Sequence, residues 1–212
     1  MSEKETLAQQ AYRDVKQRIL AGTLPAGDVL TERALAQESG ISRTPLRAAI
    51  SRLEKEGVIS RLTNGALMVR PVTVEQLLEI VQIRRLLEGA AAARAAGLPM
   101  TPALEQSRET MRAYAQGGDV AFDQFWLDDD IFHLAVAEAA GLSLLPAMIT
   151  EMRGIARRCT ITRTHDRFDQ QAREHLAVID AIEAQDGKRA CAAMQTHFDS
   201  VRSRFLGWLD RR

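Results

Sequence analysis

The chain holds only four histidines, at positions 133, 165, 175 and 197, and three of them fall in apolar helical registers. His133 closes the stretch "DDDIFH" one helical turn after Asp129, so the two side chains share a face. That face also carries Trp126, Val136, Ala137 and Ala140, which marks it as the buried side. His175 repeats with Ala172, Ile179 and Ile182, and His197 with Ala193, Met194 and Val201. Three imidazoles and one carboxylate, on three helices, therefore point inward. Asp128 and Asp130 take other directions, toward solvent or neighbouring turns, and His165, within "TRTHDR", has polar neighbours.

A single inward histidine is usually a core residue hydrogen-bonded to backbone. Three beside an inward aspartate admit a second reading, because buried polar groups need partners and a metal ion supplies one. An Asp/His3 donor set suits zinc, nickel or manganese. Spacing leaves both readings open. The same donors with a bound water could activate a nucleophile, as in a metallohydrolase, but no inward general base accompanies them. Cys159 and Cys191 lie far apart without CxxC spacing and offer neither a disulfide framework nor a thiolate zinc site.

Helices must position these donors, and the composition favours helices. Aromatics make up 5% of the 212 residues, while Ala, Leu and Arg abound. A hydrophobic fraction of 46% is ample for a core, and the length suggests one or two domains. From "RPVTVEQ" onward, helical periodicity predicts helices at about 74–97, 101–116, 119–140, 143–160, 167–185 and 187–209, separated by "GLPMTP", "GGD", "AGLS" and "QDG". Six such helices make a bundle able to enclose a cavity. Arg84 shares a face with Ile80, Leu87 and Ala91 and could anchor a carboxylate there, although an internal ion pair with Glu88 is the simpler reading.

The first seventy residues have a different pattern. Ala11, Val15, Ile19 and Leu20 lie at helical spacing before Gly22. Thr31 is the expected N-cap of "ERALAQES", Gly40 its stop, and Ser42 the opening of "RTPLRAAISRLEKEG". Two short helices joined by "SGI" read as a helix-turn-helix. "VISRLTNGALMV" reads as two strands around Asn64-Gly65, a pair that favours a tight hairpin turn. The expected fold is thus mostly α, with an N-terminal winged helix-turn-helix carrying a small β-hairpin wing and a C-terminal all-α six-helix bundle. Arg43, Thr44 and Arg47 stand near the N-terminus of the second helix, the end that meets base edges in a major groove. Arg33 and the wing tip Thr63, Asn64 and Gly65 are placed for backbone or minor groove. The plainer alternative is a helical hairpin with ordinary surface arginines.

Charge permits this without demonstrating it. Residues 1–70 carry 11 Lys/Arg against 8 Asp/Glu, and the rest 17 against 20, for a net charge of zero. The start "MSEKETLAQQ" lacks the apolar region of a signal peptide, and no apolar run approaches the roughly 18 residues of a membrane span, so a cytoplasmic protein is expected.

The stretch "ILAGTLPAGDVLTERALAQESGISRTPLRAAISRLEKEGVI" resembles the DNA-binding domain of the GntR family of bacterial transcription regulators. The pieces that carry it are Gly22–Leu30, "LA" at 35–36, "SRTPLR" at 42–47 and "LEKEG" at 53–57. Asp129–His133, "EH" at 174–175 and His197 are similar to the metal-binding pattern of the FadR-type effector domain, the FCD domain, in its smaller six-helix, VanR-like branch. Where that family commonly has Asn after the Gly of the third helix, this chain has Leu142. The resemblance implies a homodimeric repressor reading a palindromic operator in double-stranded DNA. Its DNA contacts would be Arg33, Ser42, Arg43, Thr44, Arg47, Thr63, Asn64 and Gly65. It further implies a divalent metal, zinc first and nickel or manganese next, on Asp129, His133, His175 and His197, with a small organic acid such as a sugar acid or dicarboxylate bound beside it. The corresponding boundaries are 1–70 for the DNA-binding domain, 71–76 for a linker and 77–212 for the effector and dimerisation domain. A direct metal sensor, with the ion itself as effector, is the alternative.

Overall fold

The computed structural model describes residues 5–117, 120–159 and 168–210; His165 lies outside them. These residues fall into two compact units. One comprises the described residues up to Thr73 with Arg157–Cys159, and the other Val74–Ala156 and the described residues after Cys159.

In the first unit, Thr6 opens α1 (Leu7–Leu20) with a reciprocal capping box to Gln9. Ala11, Tyr12, Val15 and Ile19 form the buried stripe of α1, and Leu46, Ala49, Ile50 and Leu53 that of α3 (Arg43–Lys55). Between them, α2 (Glu32–Ser39) starts at Thr31, whose hydroxyl accepts from the Ala34 amide at 3.1 Å, and ends at Gly40 in the left-handed region, φ 64°. Three short strands complete the unit: β1 (Val29–Leu30), β2 (Ile59–Arg61) and β3 (Leu67–Val69), antiparallel in the order β1-β3-β2. The expected hairpin is thus β2–β3, and the extended piece after Gly27 adds a third strand to it. The wing loop is also one residue longer than a two-residue turn. Leu62 pairs with Ala66, Gly65 alone takes positive φ (82°), and the Asn64 side chain accepts from the Ala66 amide at 3.0 Å. Asn64 thereby closes the loop with its side chain instead of adopting the left-handed backbone of a type I′ turn.

The second unit is all helix among the described residues: α4 (Val74–Ala95), α5 (Pro102–Ala115), α6 (Phe122–Ala139), α7 (Leu145–Ala156), α8 (Phe168–Glu183) and α9 (Gly187–Leu209). These are the six expected helices, trimmed at several ends where caps or turns intervene. Helices α4 and α9 run antiparallel, for Arg85 pairs with Asp199 at 2.8 Å while a Cβ at Gly187 would meet the Ala93 carbonyl at 2.9 Å. Gly187 therefore lets the start of α9 lie directly against the α4 backbone. Phe132, Phe198, Leu104, Met111 and Ile149 fill the core, each burial of this kind contributing about 1.5–3 kcal/mol. No helix among the described residues is long and apolar enough to cross a membrane.

Candidate metal centre and nucleic-acid interface

Three helices of the bundle bring the inward histidines together. Helix α6 supplies His133, α8 supplies His175 and α9 supplies His197, all at most 1% exposed. One ligand atom from each lies within 4.8 Å of the others, and the ring centroids are 4.6–5.4 Å apart. Donors about 2.1 Å from a tetrahedral ion stand about 3.4 Å apart, so a contraction would let the three share one ion.

Hydrogen bonds aim the rings. The Nδ1 of His133 donates to Glu88 Oε2 at 2.5 Å, and the Nδ1 of His197 donates to Glu174 Oε2 at 3.0 Å. With Nδ1 protonated and occupied, the Nε2 lone pair of each ring is left for a ligand position; a carboxylate behind a histidine is the usual outer shell of a metal site. His175 is held differently. Its Nδ1 lies 3.3 Å from Met111 Sδ, its ring stacks on Phe132 at 4.0 Å, and its buried Nε2 makes no hydrogen bond. An orphaned nitrogen in a dry core is costly unless something binds it.

Asp129 lies beside two of the three rings. Its Oδ1 is 3.3 Å from His175 Nε2 and 3.7 Å from His133 Nε2, and it accepts from Gln171 Nε2 at 2.6 Å. Its Oδ2 accepts from Arg153 Nη2 at 2.5 Å. Burial would raise the Asp129 carboxyl, but Arg153 and then the histidines hold it well below its ordinary value. Burial likewise raises Glu88, and Arg84 with His133 outweighs it and lowers the group to about 2. Burial and the neighbouring His197 press His175 well below its ordinary value, and burial lowers His197 despite the Glu174 hydrogen bond. Arg153 falls to about 10 through burial, with Asp129 opposing.

Arg84 pairs with Glu88 (Nε to Oε1, 2.7 Å), as the i, i+4 spacing suggested, while its Nη2 is buried without a partner. It lines a pocket together with Asp129, His133, Arg153, Gln171 and His197. Arg153, Gln171, Glu88 and Glu174 escaped the sequence reading as partners of the donors. A signal existed for Arg153, which repeats with Leu145, Ile149 and Ala156 as a charge in an apolar register. Asp128 and Asp130, expected toward solvent or neighbouring turns, both meet other helices: Asp130 pairs with Arg153 on α7 and Asp128 accepts from the Tyr114 hydroxyl on α5.

In the first unit, Arg33, Ser42, Arg43, Thr44 and Arg47 are all exposed, as are Thr63, Asn64 and Gly65 at the wing tip. The Ser42 hydroxyl makes no capping hydrogen bond and no acid occupies the first turn of α3. A helix N-terminus left uncapped and flanked by arginine suits an anion. Arg47 Nε donates to Glu32 at 2.8 Å, and this bond, against some burial, lowers the Glu32 carboxyl. Arg61, unremarked in the sequence, reaches Glu32, Glu54 and the Gly65 carbonyl at 3.1–3.3 Å and so ties the wing to α2 and α3.

Comparison with known proteins follows the same division. The bacterial regulatory proteins of the gntR family match residues 7–69, and the FCD domain matches residues 79–200. The chain is 31% identical over 197 residues, 92% of its length and 86% of the relative's, to the probable D-xylose utilization operon transcriptional repressor of Paenarthrobacter nicotinovorans. It is 24% identical to the gluconate operon transcriptional repressor of Bacillus subtilis (strain 168), over 100% of this chain and 90% of that one. Among solved structures, E. coli McbR/YncC shares the fold with a TM-score of 0.75 at 23% identity, over 97% of this chain and 100% of that chain.

One consequence can be measured on metal-stripped protein. His175 and His197 sit below their ordinary values when folded, so the unfolded chain binds more protons and stability falls with pH below about 6.5. The melting midpoint drops between pH 7 and pH 5, each histidine contributing up to about 1.4 kcal/mol per pH unit. A flat or rising midpoint contradicts the buried neutral pair.

Proposed function

Because the chain belongs to the GntR family of DNA-binding transcription regulators, with an FCD effector domain, we propose that it is a repressor whose hold on DNA is set by a small carboxylate bound beside a metal ion. It is a regulator, not an enzyme. The chain acts as a homodimer on a palindromic operator, with Arg43, Thr44 and Arg47 reading bases. Arg33, Ser42 and the wing tip Thr63, Asn64 and Gly65 contact the backbone. Repressor names among the relatives support the direction of control.

Asp129, His133, His175 and His197 would hold the ion, zinc before nickel or manganese, since nitrogen and oxygen donors of this number suit it. The observation that carries this reading is the orphaned Nε2 of His175, beside Asp129 Oδ1 and between two imidazoles whose Nδ1 atoms are already taken. When bound, the ion would supply Lewis acidity that attracts a carboxylate oxygen. Arg84 Nη2 then offers that carboxylate a charged hydrogen bond, and Glu88 fixes both Arg84 and His133. A ligand changes DNA affinity only through its differential affinity for two arrangements of the protein, so the effector and the operator must oppose each other reciprocally.

Substituting His133→Ala removes metal and the response of DNA binding to carboxylates, while DNA affinity without effector stays. Metal analysis beside a DNA-binding titration checks this, and an unchanged response sinks the metal assignment. Selection from random-sequence DNA tests the other unit: Arg43→Ala loses sequence preference, a cost of about 1–3 kcal/mol at the base it reads. A retained preference contradicts the role of Arg43.

A further inference from the structure

The pocket in the bundle is chemically lopsided. Its polar lining includes Asp129, His133, His197 and Gln171, while α4 and α9 contribute the apolar side chains Leu77, Ile80, Val81, Val201 and Phe205 with Arg204 among them. From Arg84 back to Leu77, helix α4 rises about 10 Å, so the apolar wall is long enough for a ring or a short chain. Among the described lining residues there is no serine, threonine, asparagine or tyrosine. The one side-chain amide, Gln171, is committed to Asp129 at 2.6 Å. The remaining donors are nitrogens, the Trp126 indole and the Arg84, Arg153 and Arg204 guanidinium groups, so the five apolar side chains would leave part of a polyhydroxylated ligand unbonded, and each unpaired buried hydroxyl costs about 1–3 kcal/mol.

Charge narrows the class further. Three arginines line the pocket, Arg84, Arg153 and Arg204. Each is paired with carboxylates: Glu88 for Arg84, Asp129 and Asp130 for Arg153, and Glu174 for Arg204. Among these described groups the four carboxylates exceed the arginines by one negative charge. A divalent ion on neutral histidines reverses this to one positive charge, which a single carboxylate cancels. A second carboxylate would be a buried charge without a counterpart.

We infer that the effector is a monocarboxylate with an apolar body, an aryl- or alkyl-carboxylic acid rather than a sugar acid or a dicarboxylate. This rests on the metal-assisted reading above and refines it. The carboxylate sits at the ion and Arg84, and the ring or chain lies along Ile80, Val81, Val201 and Phe205. It parts this chain from the relatives whose names refer to D-xylose and gluconate.

Calorimetric titration of the full-length, metal-loaded chain with phenylacetate, octanoate, gluconate and succinate tests it. The apolar acids bind more tightly than gluconate and succinate, by on the order of tenfold or more. Phe205→Ala, at a partly exposed position, weakens octanoate while leaving metal content unchanged. Gluconate or succinate binding as tightly as the apolar acids overturns this inference alone. Failure of all four acids to bind metal-loaded protein overturns both it and the carboxylate-effector reading beneath it.

Discussion

A carboxylate that is 5% exposed cannot stand alone in a helical core, and Asp129 is the group around which the bundle is arranged. Arg153 and Gln171 take up its oxygens from α7 and α8, and two imidazoles face it from α6 and α8. The partners arrive from α7 and α8 as well as from α6 itself, so Asp129 fixes the mutual rotation of three helices as well as their distance. Removing one partner of such a buried pair typically costs about 3–5 kcal/mol, because the other is left charged and unpaired. Arg153 carries a similar burden, pulled by both Asp129 and Asp130 while burial works against its charge.

The histidines depend on the same logic one layer out. Glu88 and Glu174 decide which nitrogen of His133 and His197 carries the proton, and that decision leaves their Nε2 atoms for the centre. Orientation is thus settled by folding, before any ligand arrives. The DNA-reading unit uses a smaller version of the device. Glu32 holds Arg47 and Arg61 at the surface, where the interaction is partly screened, so it orders side chains more than it stabilises the fold.

Much of this was legible in the sequence. Period and punctuation located all six bundle helices, and the caps Thr31 and Gly40 set the helix-turn-helix. Inward direction was legible for Asp129, His133, His175 and His197 because each sits in an apolar register, and direction within a helix needs only local geometry. Which group meets which was not legible, since Arg153, Glu88 and Glu174 find their partners across helices and no spacing records that. Arg84 was the exception, its partner lying one turn away on the same helix. The hairpin wing was legible too, and only its turn differs, because Asn64 closes it with its side chain instead of a left-handed backbone.

The central claim is that three imidazoles and one carboxylate of the bundle bind one metal ion. X-ray absorption on zinc-loaded protein measures that coordination directly. The account predicts nitrogen and oxygen scatterers only, with the multiple-scattering signature of three imidazoles, falling to two in His175→Ala. Sulfur in the zinc shell, or a spectrum that His175→Ala leaves unchanged, would contradict it.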